Sequence, residues 1–276
     1  HFFLLIYIYL NTSIGEAFGF STVEAMKYGK PVVVSEVYGN SDVVDDNKTG
    51  LLFPLNKPSR LVERIKILKN NQTTYNYLSA NARESVEKRF NLDRMLNETR
   101  ELYLSVTSGL RKRAKMRIGI NASKARDIHT GVGRYTSNLS KSILNMNGRY
   151  NYYFYTPCRT GNTIRTDIQG TYLEKPTVIK QNNTLRIIWE QIMLPIYSRK
   201  DSLDLFHYTD HALSLFQRAR PTIITVHDIA YVRFSNMLNK SRQIYKKRIL
   251  KFSIERADII VADSFSTKRD IIEYYG

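Results

Sequence analysis

Short runs rich in β-branched and aromatic residues alternate with helix-length segments along the whole chain. That alternation limits the fold more than any other feature. Strands separated by helices pair in parallel through helical crossovers, which gives α/β layers. In the first part, residues 2–10 and 31–35 read as strands, 20–28 as the helix between them, and 51–53 as a short strand after the turn Asn47-Lys48-Thr49-Gly50. Helical patterns follow over 58–69, 72–89 and 92–107. Residues 106–115 hold Thr107-Ser108-Gly109 and then Arg111-Lys112-Arg113-Ala114-Lys115, and read as a boundary. The pattern restarts with a strand at 117–121, a glycine-bearing loop and a helix over 132–146. Strands are expected at 151–156, 204–208, 222–227 and 258–262, and helices at 184–198, 239–256 and 265–275. The expected domains are 1–108 and 116–276, joined by a linker over 109–115.

A chain of 276 residues with 42% hydrophobic content can bury a core, which sets global disorder aside. The formal charge is +17: 17 basic and 12 acidic residues give +5 over 1–115, and 25 and 13 give +12 over 116–276. Such a surface attracts polyanions, whether nucleic acid, anionic lipid or phosphorylated substrate, although solvated lysines alone give the same balance. The single cysteine, Cys158, excludes an internal disulfide framework and fits a reducing compartment. Residues 2–10 are too short for a bilayer span, which needs ~20 residues, and lack the features of a signal peptide. A cytoplasmic location is expected. The chain starts at His1 rather than Met and stops at Gly276 just after a helical pattern, so both ends read as cut.

Three constellations carry chemistry. In Glu16-Ala17-Phe18-Gly19-Phe20-Ser21-Thr22-Val23-Glu24, two carboxylates stand eight positions apart, which suits one in a loop and one about a turn inside a helix. Helix-start N–H groups and the helix dipole favour an anion there, and Gly19 admits close backbone approach. A carboxylate accepts two hydroxyl hydrogen bonds at once, so it can grip vicinal hydroxyls of a sugar or ribose. Two surface glutamates that merely stabilise a helix start would show the same spacing.

The second constellation follows strand 117–121: Gly131-Val132-Gly133-Arg134-Tyr135 opens a helix, a Rossmann-like first turn whose glycines would let backbone approach a ligand. The spacing is not Gly-x-Gly-x-x-Gly, so a dinucleotide site is not expected, and a simple turn gives the same short motif. Lys124 and Arg134 stand near it as candidate phosphate or acceptor contacts. The third is His227-Asp228, which ends the run 221–226 where ligands gather in open parallel sheets. A histidine there can bond a sugar hydroxyl or steady developing charge, and a structural histidine is the plain alternative. His207 and His211 lie four apart but lack the glutamate of a zincin motif, so no metal is expected. Gly-x-Ser-x-Gly, Walker A, Cys-x-x-Cys and Asp-x-Asp motifs are absent from the sequence.

Taken in register, Ser13-x-x-Glu16-Ala17-Phe18-Gly19, Glu24-Ala25-Met26 and Gly29-Lys30-Pro31-Val32-Val33 resemble the donor-binding half of group 1 (family 4) glycosyltransferases of the GT-B fold. The second part resembles the N-terminal half of the same family through five segments. They are Met116-Arg117-Ile118-Gly119-Ile120-Asn121, the glycine loop, Arg186-Ile187-Ile188-Trp189-Glu190-Gln191, Thr225-Val226-His227-Asp228 and Ala257-Asp258-Ile259-Ile260-Val261-Ala262-Asp263-Ser264. The halves thus stand in swapped order. The fold class implied is α/β, two partial Rossmann-like GT-B domains with parallel sheets.

The resemblance implies retaining, metal-independent transfer of the hexosyltransferase type. The donor is a nucleotide-diphosphate sugar and the acceptor a saccharide or lipid-linked molecule, in polysaccharide or glycolipid synthesis without a bound cofactor. It places Glu16 and His227 as catalytic residues. Phe18, Gly19, Phe20, Thr22, Glu24, Gly131 and Gly133 are donor-binding, and Lys124, Arg134 and Asp228 lie near acceptor or phosphate. Asp42 stands where the family commonly has glutamate, usually in a structural role. The family's diphosphate-binding arginine and lysine have no counterpart before Glu16, so the chain is expected to be inactive alone. It reads as the tail of one enzyme joined to the head of another, either a slice of a tandem enzyme or two merged reading frames with Met116 as a start. A permuted enzyme is the other arrangement. Peripheral contact with the inner membrane face is expected of the basic second half, and no specific nucleic-acid partner. The competing functions are a polyanion-binding module and a GT-B-fold sugar-nucleotide epimerase.

Overall fold

The computed structural model describes residues 2–110, 115–144, 150–157, 172–176, 183–217, 221–233 and 240–276. Cys158, most of the expected linker and the end of the helix expected to reach 146 lie outside them. The chain divides into two compact units, one of His1–Met95 with Asp263–Tyr274 and one of Leu96–Ala262. Each carries its own parallel sheet.

The first unit runs α1 (Phe2–Leu5), β1 (Tyr9–Asn11), α2 (Phe20–Lys27), β2 (Val32–Ser35), α3 (Tyr38–Val43), β3 (Leu51–Phe53), α4 (Pro58–Asn70) and α5 (Gln72–Arg89). It also holds the start of α6 (Leu92–Thr107). The sheet order is β1-β2-β3, with Tyr9 opposite Val32 and Val33 opposite Leu51. All four β2 residues are buried. Val32 and Val34 join Ala25, Met26, Ala82 and Val86 on one face, and Val33 joins Leu51, Phe53, Leu68 and Leu78 on the other. A strand buried on both faces is apolar without alternation, which explains the unbroken valine run.

The strand expected over 2–10 is a correction: only Tyr9–Asn11 are strand, and Phe2–Leu5 form a helical turn. Tyr9 donates to Pro31 O, but Pro31 has no N–H to meet the carbonyl two residues earlier, so the ladder ends there. Upstream, Phe3 stacks on Tyr28 and tilts against Tyr9 instead.

The second unit takes the rest of α6, then β4 (Met116–Asn121), α7 (Gly131–Leu144), β5 (Tyr150–Thr156), β6 (Tyr172–Pro176) and α8 (Asn183–Ile188). A π-helical turn (Trp189–Met193), α9 (Leu194–Lys200), β7 (Leu205–Tyr208), β8 (Thr222–Val226), α10 (Ala230–Arg233), α11 (Lys240–Arg256) and β9 (Ile259–Ala262) complete it. The final helix, α12 (Phe265–Tyr275), lies mostly in the first unit. The sheet order β6-β5-β4-β7-β8-β9 is the doubly wound Rossmann order, with its switch point between β4 and β7. Every ladder is parallel.

Two features depart from the sequence expectation. The helix expected over 184–198 is unbroken in sequence but carries the π turn. Pro195 has no N–H for the Gln191 carbonyl, and Ser214 Oγ supplies that hydrogen bond at 2.9 Å. The division also crosses the expected 1–108 domain, because α6 from Leu96 groups with the second sheet, where Tyr103 is wholly buried. In the first unit, Asp42 Oδ2 accepts the Ser266 N–H at 2.6 Å, while Ser264 Oγ accepts the Thr267 N–H at 3.0 Å. Those bonds satisfy first-turn donors of α12. Among the described residues no helix is long and apolar enough to cross a membrane.

Candidate functional site

In the first unit, the loop between β1 and α2 lies at the carboxyl ends of the parallel strands, the usual ligand edge of such sheets. Its floor is a buried polar network. Asn11 and Ser35 end β1 and β2, and both are buried, as are Thr22 on α2 and Asn40 on α3. Asn11 Nδ2 donates to Thr22 Oγ1 and to Asn40 Oδ1, each at 3.4 Å. Asn40 Nδ2 donates to Ser35 O at 3.1 Å, and Ser35 Oγ donates to Ser13 O at 2.6 Å. Ser13 N in turn donates to Asn11 Oδ1 at 2.9 Å. Four side chains thus fix the start of the loop that carries Glu16.

The far end of the loop is set by two glycines. Gly19, at φ 70°, caps α2 in the left-handed region that suits glycine. Gly39 donates its N–H to Glu16 O at 3.0 Å, and a Cβ on Gly39 would lie 2.3 Å from that oxygen. Glu16 is half-buried in the loop, and Glu24 is half-buried as the fifth residue of α2. This matches the loop-and-helix placement inferred from their spacing. Phe18 packs edge-on against Phe20 and Phe90 at 4.8 and 5.4 Å, and Phe20 remains exposed. Thr22 has no exposure at all, so it supports the loop from beneath.

In the second unit, the candidate residues gather at the switch point. The β4–α7 loop carries Lys124, the segment after β7 carries Asp210 and His211, and His227-Asp228 follow β8. Thr130 Oγ1 accepts the Gly133 N–H at 3.1 Å and so caps α7. The closeness expected of Gly133 is to the chain itself: a Cβ there would lie 2.0 Å from Asp127 O. Gly133 thus allows the helix to meet its own loop. Gly131 is exposed at the first position of α7. Arg134 is exposed, with Nε donating to Ile128 O at 3.1 Å.

His227 is buried at 8% exposure, and its Nε2–H donates to Thr209 O at 2.9 Å. A carbonyl only accepts, so Nε2 carries a proton. Thr209 is held by its own hydroxyl, which donates to Asn121 O at 2.7 Å. Tyr135 meets the His227 ring edge-on at 4.9 Å. Asp210 pairs with His211 Nδ1 at 2.6 Å and with Lys124 Nζ at 3.7 Å. Burial pushes the Asp210 carboxyl up, but His211, Lys124 and His227 together hold it well below the usual carboxylate range. Nearby, Glu190 accepts from Ser123 Oγ at 2.6 Å and pairs with Arg186 at 3.4 Å, and burial raises its pKa despite both partners. Lys246 lies 4.7 Å above the Tyr231 ring, with its pKa lowered chiefly by burial. Asp228 Oδ1 accepts the Ala230 N–H at 3.1 Å, capping α10.

Sequence reasoning missed the network of Asn11, Ser35 and Asn40, and the pair of Lys124 with Asp210. One signal was available: Asn11, Ser35 and Asn121 each put a polar side chain at the last position of an apolar strand. His207, weighed only against a metal, is buried in a polar chain of its own, with Nδ1 at 2.7 Å from Tyr103 Oη.

The comparisons with known proteins converge on one enzyme class. The family of group 1 glycosyl transferases matches residues 2–85. Glycosyltransferase Family 4 matches residues 129–276, more than half of the chain. The chain is 32% identical over 92 residues to O-antigen chain mannosyltransferase C of Escherichia coli, 33% of this chain and 25% of the relative. It is 35% identical over 91 residues to an uncharacterized glycosyltransferase of Methanocaldococcus jannaschii, 33% of this chain and 26% of the relative. It is 31% identical over 97 residues to a poly(ribitol-phosphate) alpha-N-acetylglucosaminyltransferase of Staphylococcus aureus, 35% of this chain and 20% of the relative. The matched span is thus about a quarter or less of the length of these curated relatives.

Proposed function

Because the chain belongs to glycosyltransferase family 4, we propose that it supplies donor-side and acceptor-side surfaces for transfer of a sugar from a nucleotide-diphosphate donor to a saccharide or lipid-linked acceptor. The observation that carries this reading is Glu16, held at the carboxyl edge of a parallel sheet by a buried network and by Gly39, with Glu24 on the helix that follows. In this reading Glu16 accepts hydroxyl hydrogen bonds from the donor sugar and Glu24 from the ribose. Phe18, Gly19 and Phe20 shape the loop around them. His227, Gly131 and Gly133 line the sugar side in the second unit, with Lys124, Arg134 and Asp228 toward phosphate or acceptor.

The acceptor oxygen bonds to the anomeric carbon as the bond to the diphosphate oxygen breaks, and the electron pair leaves with the nucleoside diphosphate. The acceptor's proton is taken up by the departing phosphate. Cations near that phosphate lower the barrier by stabilising its charge. The reading has the transfer proceed with retention and without a metal or cofactor, in the synthesis of a surface polysaccharide or glycolipid. It also has the 276 residues inactive alone, since no arginine or lysine before Glu16 matches the pair that would bind the diphosphate. Cytoplasmic location, with the basic second half against anionic lipid, completes it.

The test is release of nucleoside diphosphate from a panel of uridine, guanosine and adenosine diphosphate sugars, with a polysaccharide or lipid-linked acceptor. Release by a longer protein carrying this span, lost in Glu16→Gln and absent from the isolated chain, is the expected result. Robust turnover by the isolated chain would overturn its expected inactivity. Change of the donor sugar without any acceptor would replace transfer with epimerisation.

A further inference from the structure

A buried chain of polar groups crosses the second unit from α6 to the candidate histidine. Tyr103 Oη lies 2.7 Å from His207 Nδ1, and His207 Nε2 lies 2.9 Å from Thr225 Oγ1. Thr225 Oγ1 lies 3.3 Å from Tyr135 Oη. The Tyr135 ring then meets the His227 ring edge-on, 4.9 Å between centroids and 73° between planes. Tyr103, His207 and Thr225 have 0, 1 and 0% exposure.

The direction of donation follows from the available protons. Burial, with His227 adding its charge, pushes His207 down to about 3, so the ring is neutral and carries one proton. The Tyr103 hydroxyl makes one hydrogen bond among the described residues, so its proton goes to His207 Nδ1. The His207 proton then sits on Nε2 and goes to Thr225 Oγ1, which leaves the Thr225 hydroxyl to donate to Tyr135. Each donation points from α6 toward the site, and each buried donor is satisfied.

We infer that Tyr103 and Tyr135 are positioning residues for His227: through this relay, α6 fixes the ring against which the His227 imidazole rests. The inference rests on the reading of His227 as a site residue. The imidazole is also held by its bond to Thr209 O, just after β7, so that bond and the relay together set the ring. A plain packing role for Tyr103 would need its ring but not its hydroxyl. The relay also gives α6 a task that neither family match describes, since α6 lies outside residues 2–85 and 129–276.

The test is imidazole nitrogen–carbon NMR on the full 276-residue chain, comparing Tyr103→Phe, Thr225→Val, Tyr135→Phe and the double variant Tyr103→Phe/Tyr135→Phe. Each single change is expected to displace the His227 ring signals while those of His129 and His211 stay in place. The double change should move them no further than Tyr135→Phe alone, because the two act in series. Tyr103→Phe that disturbs only His207 would overturn the inference. Should Tyr103→Phe fail to fold, Tyr135→Phe and Thr225→Val decide, and unchanged His227 signals in both would overturn it equally. In an active longer protein, a fall in kcat with unchanged KM is the matching kinetic result. If His227→Asn leaves transfer intact while the NMR displacements persist, the functional reading of His227 fails and the relay stands.

Discussion

Gly39 lies directly against the Glu16 peptide, its N–H donating to Glu16 O at 3.0 Å and its Cα so close that an added Cβ would stand 2.6 Å from the carbonyl carbon of Ala17. The candidate catalytic loop is thus shaped from below by a helix that follows the next strand. Gly39→Ala must push the loop away or distort α3. Overpacking of this kind costs about 1–3 kcal/mol. Urea unfolding should show that loss, and donor affinity in an active longer protein should fall with it. An alanine variant of unchanged stability would mean that the loop yields freely.

Asn40 bonds to both strand ends at once, which makes it the most connected member of the buried network. Asn40→Ala leaves Asn11 and Ser35 short of partners and is expected to cost about 1–3 kcal/mol. Asn40→Asp should cost more, because it keeps an acceptor toward Asn11 but sets a carboxylate beside the Ser35 carbonyl in a site with no exposure. Comparing the two unfolding midpoints checks the order. If aspartate proves the milder change, the site admits water or a proton.

The two glutamates should fail differently. Glu24→Gln removes a charged acceptor from the proposed ribose contact, and hydrogen bonds to charged groups contribute about 1.5–3 kcal/mol. Donor affinity in an active longer protein should therefore weaken by about ten- to a hundredfold. Glu16→Gln should act chiefly on kcat, since its proposed partner is the sugar undergoing reaction. Titration calorimetry with the donor alone, beside steady-state rates, separates the two. Equal effects on binding and rate from both would remove the distinction between their roles.

Much of this was readable in the chain. The valine run at β2, the carboxylate spacing and the strand leading to His227 all express local rules, namely burial on both faces, helix starts and strand ends. The short strand β3 was readable too, but α3 was not. Tyr38-Gly39-Asn40-Ser41-Asp42 has the composition of a loop, yet forms α3 because Asn40 and Gly39 find partners far away in sequence. The helix α6 was legible over 92–107, but its place was not: its sequence adjoins the first unit while Tyr103 buries in the second. Gly133 shows the reverse case: the motif was visible, but only the backbone could show that Asp127 occupies the space beside it.

His207 makes stability depend on pH. Burial first, and the nearby His227 second, lower its pKa from 6.5 to about 3, so the folded state refuses a proton that the unfolded chain accepts. A depressed pKa contributes stability that is fully present above about pH 6.5 and drains away as pH falls toward 3. The slope within that window is up to about 1.4 kcal/mol per pH unit. From pH 7 to pH 5 the loss should therefore be roughly 2 kcal/mol, read as a falling urea midpoint. Asp210 acts in the same sense but at lower pH, because its pKa is also depressed and only moves below the ordinary carboxylate range. His207→Asn cannot titrate, so it should be flatter between pH 7 and 5, and disturbing the bonds to Tyr103 and Thr225 should make it less stable at pH 7. A variant that keeps the full slope would assign the acid sensitivity to another group.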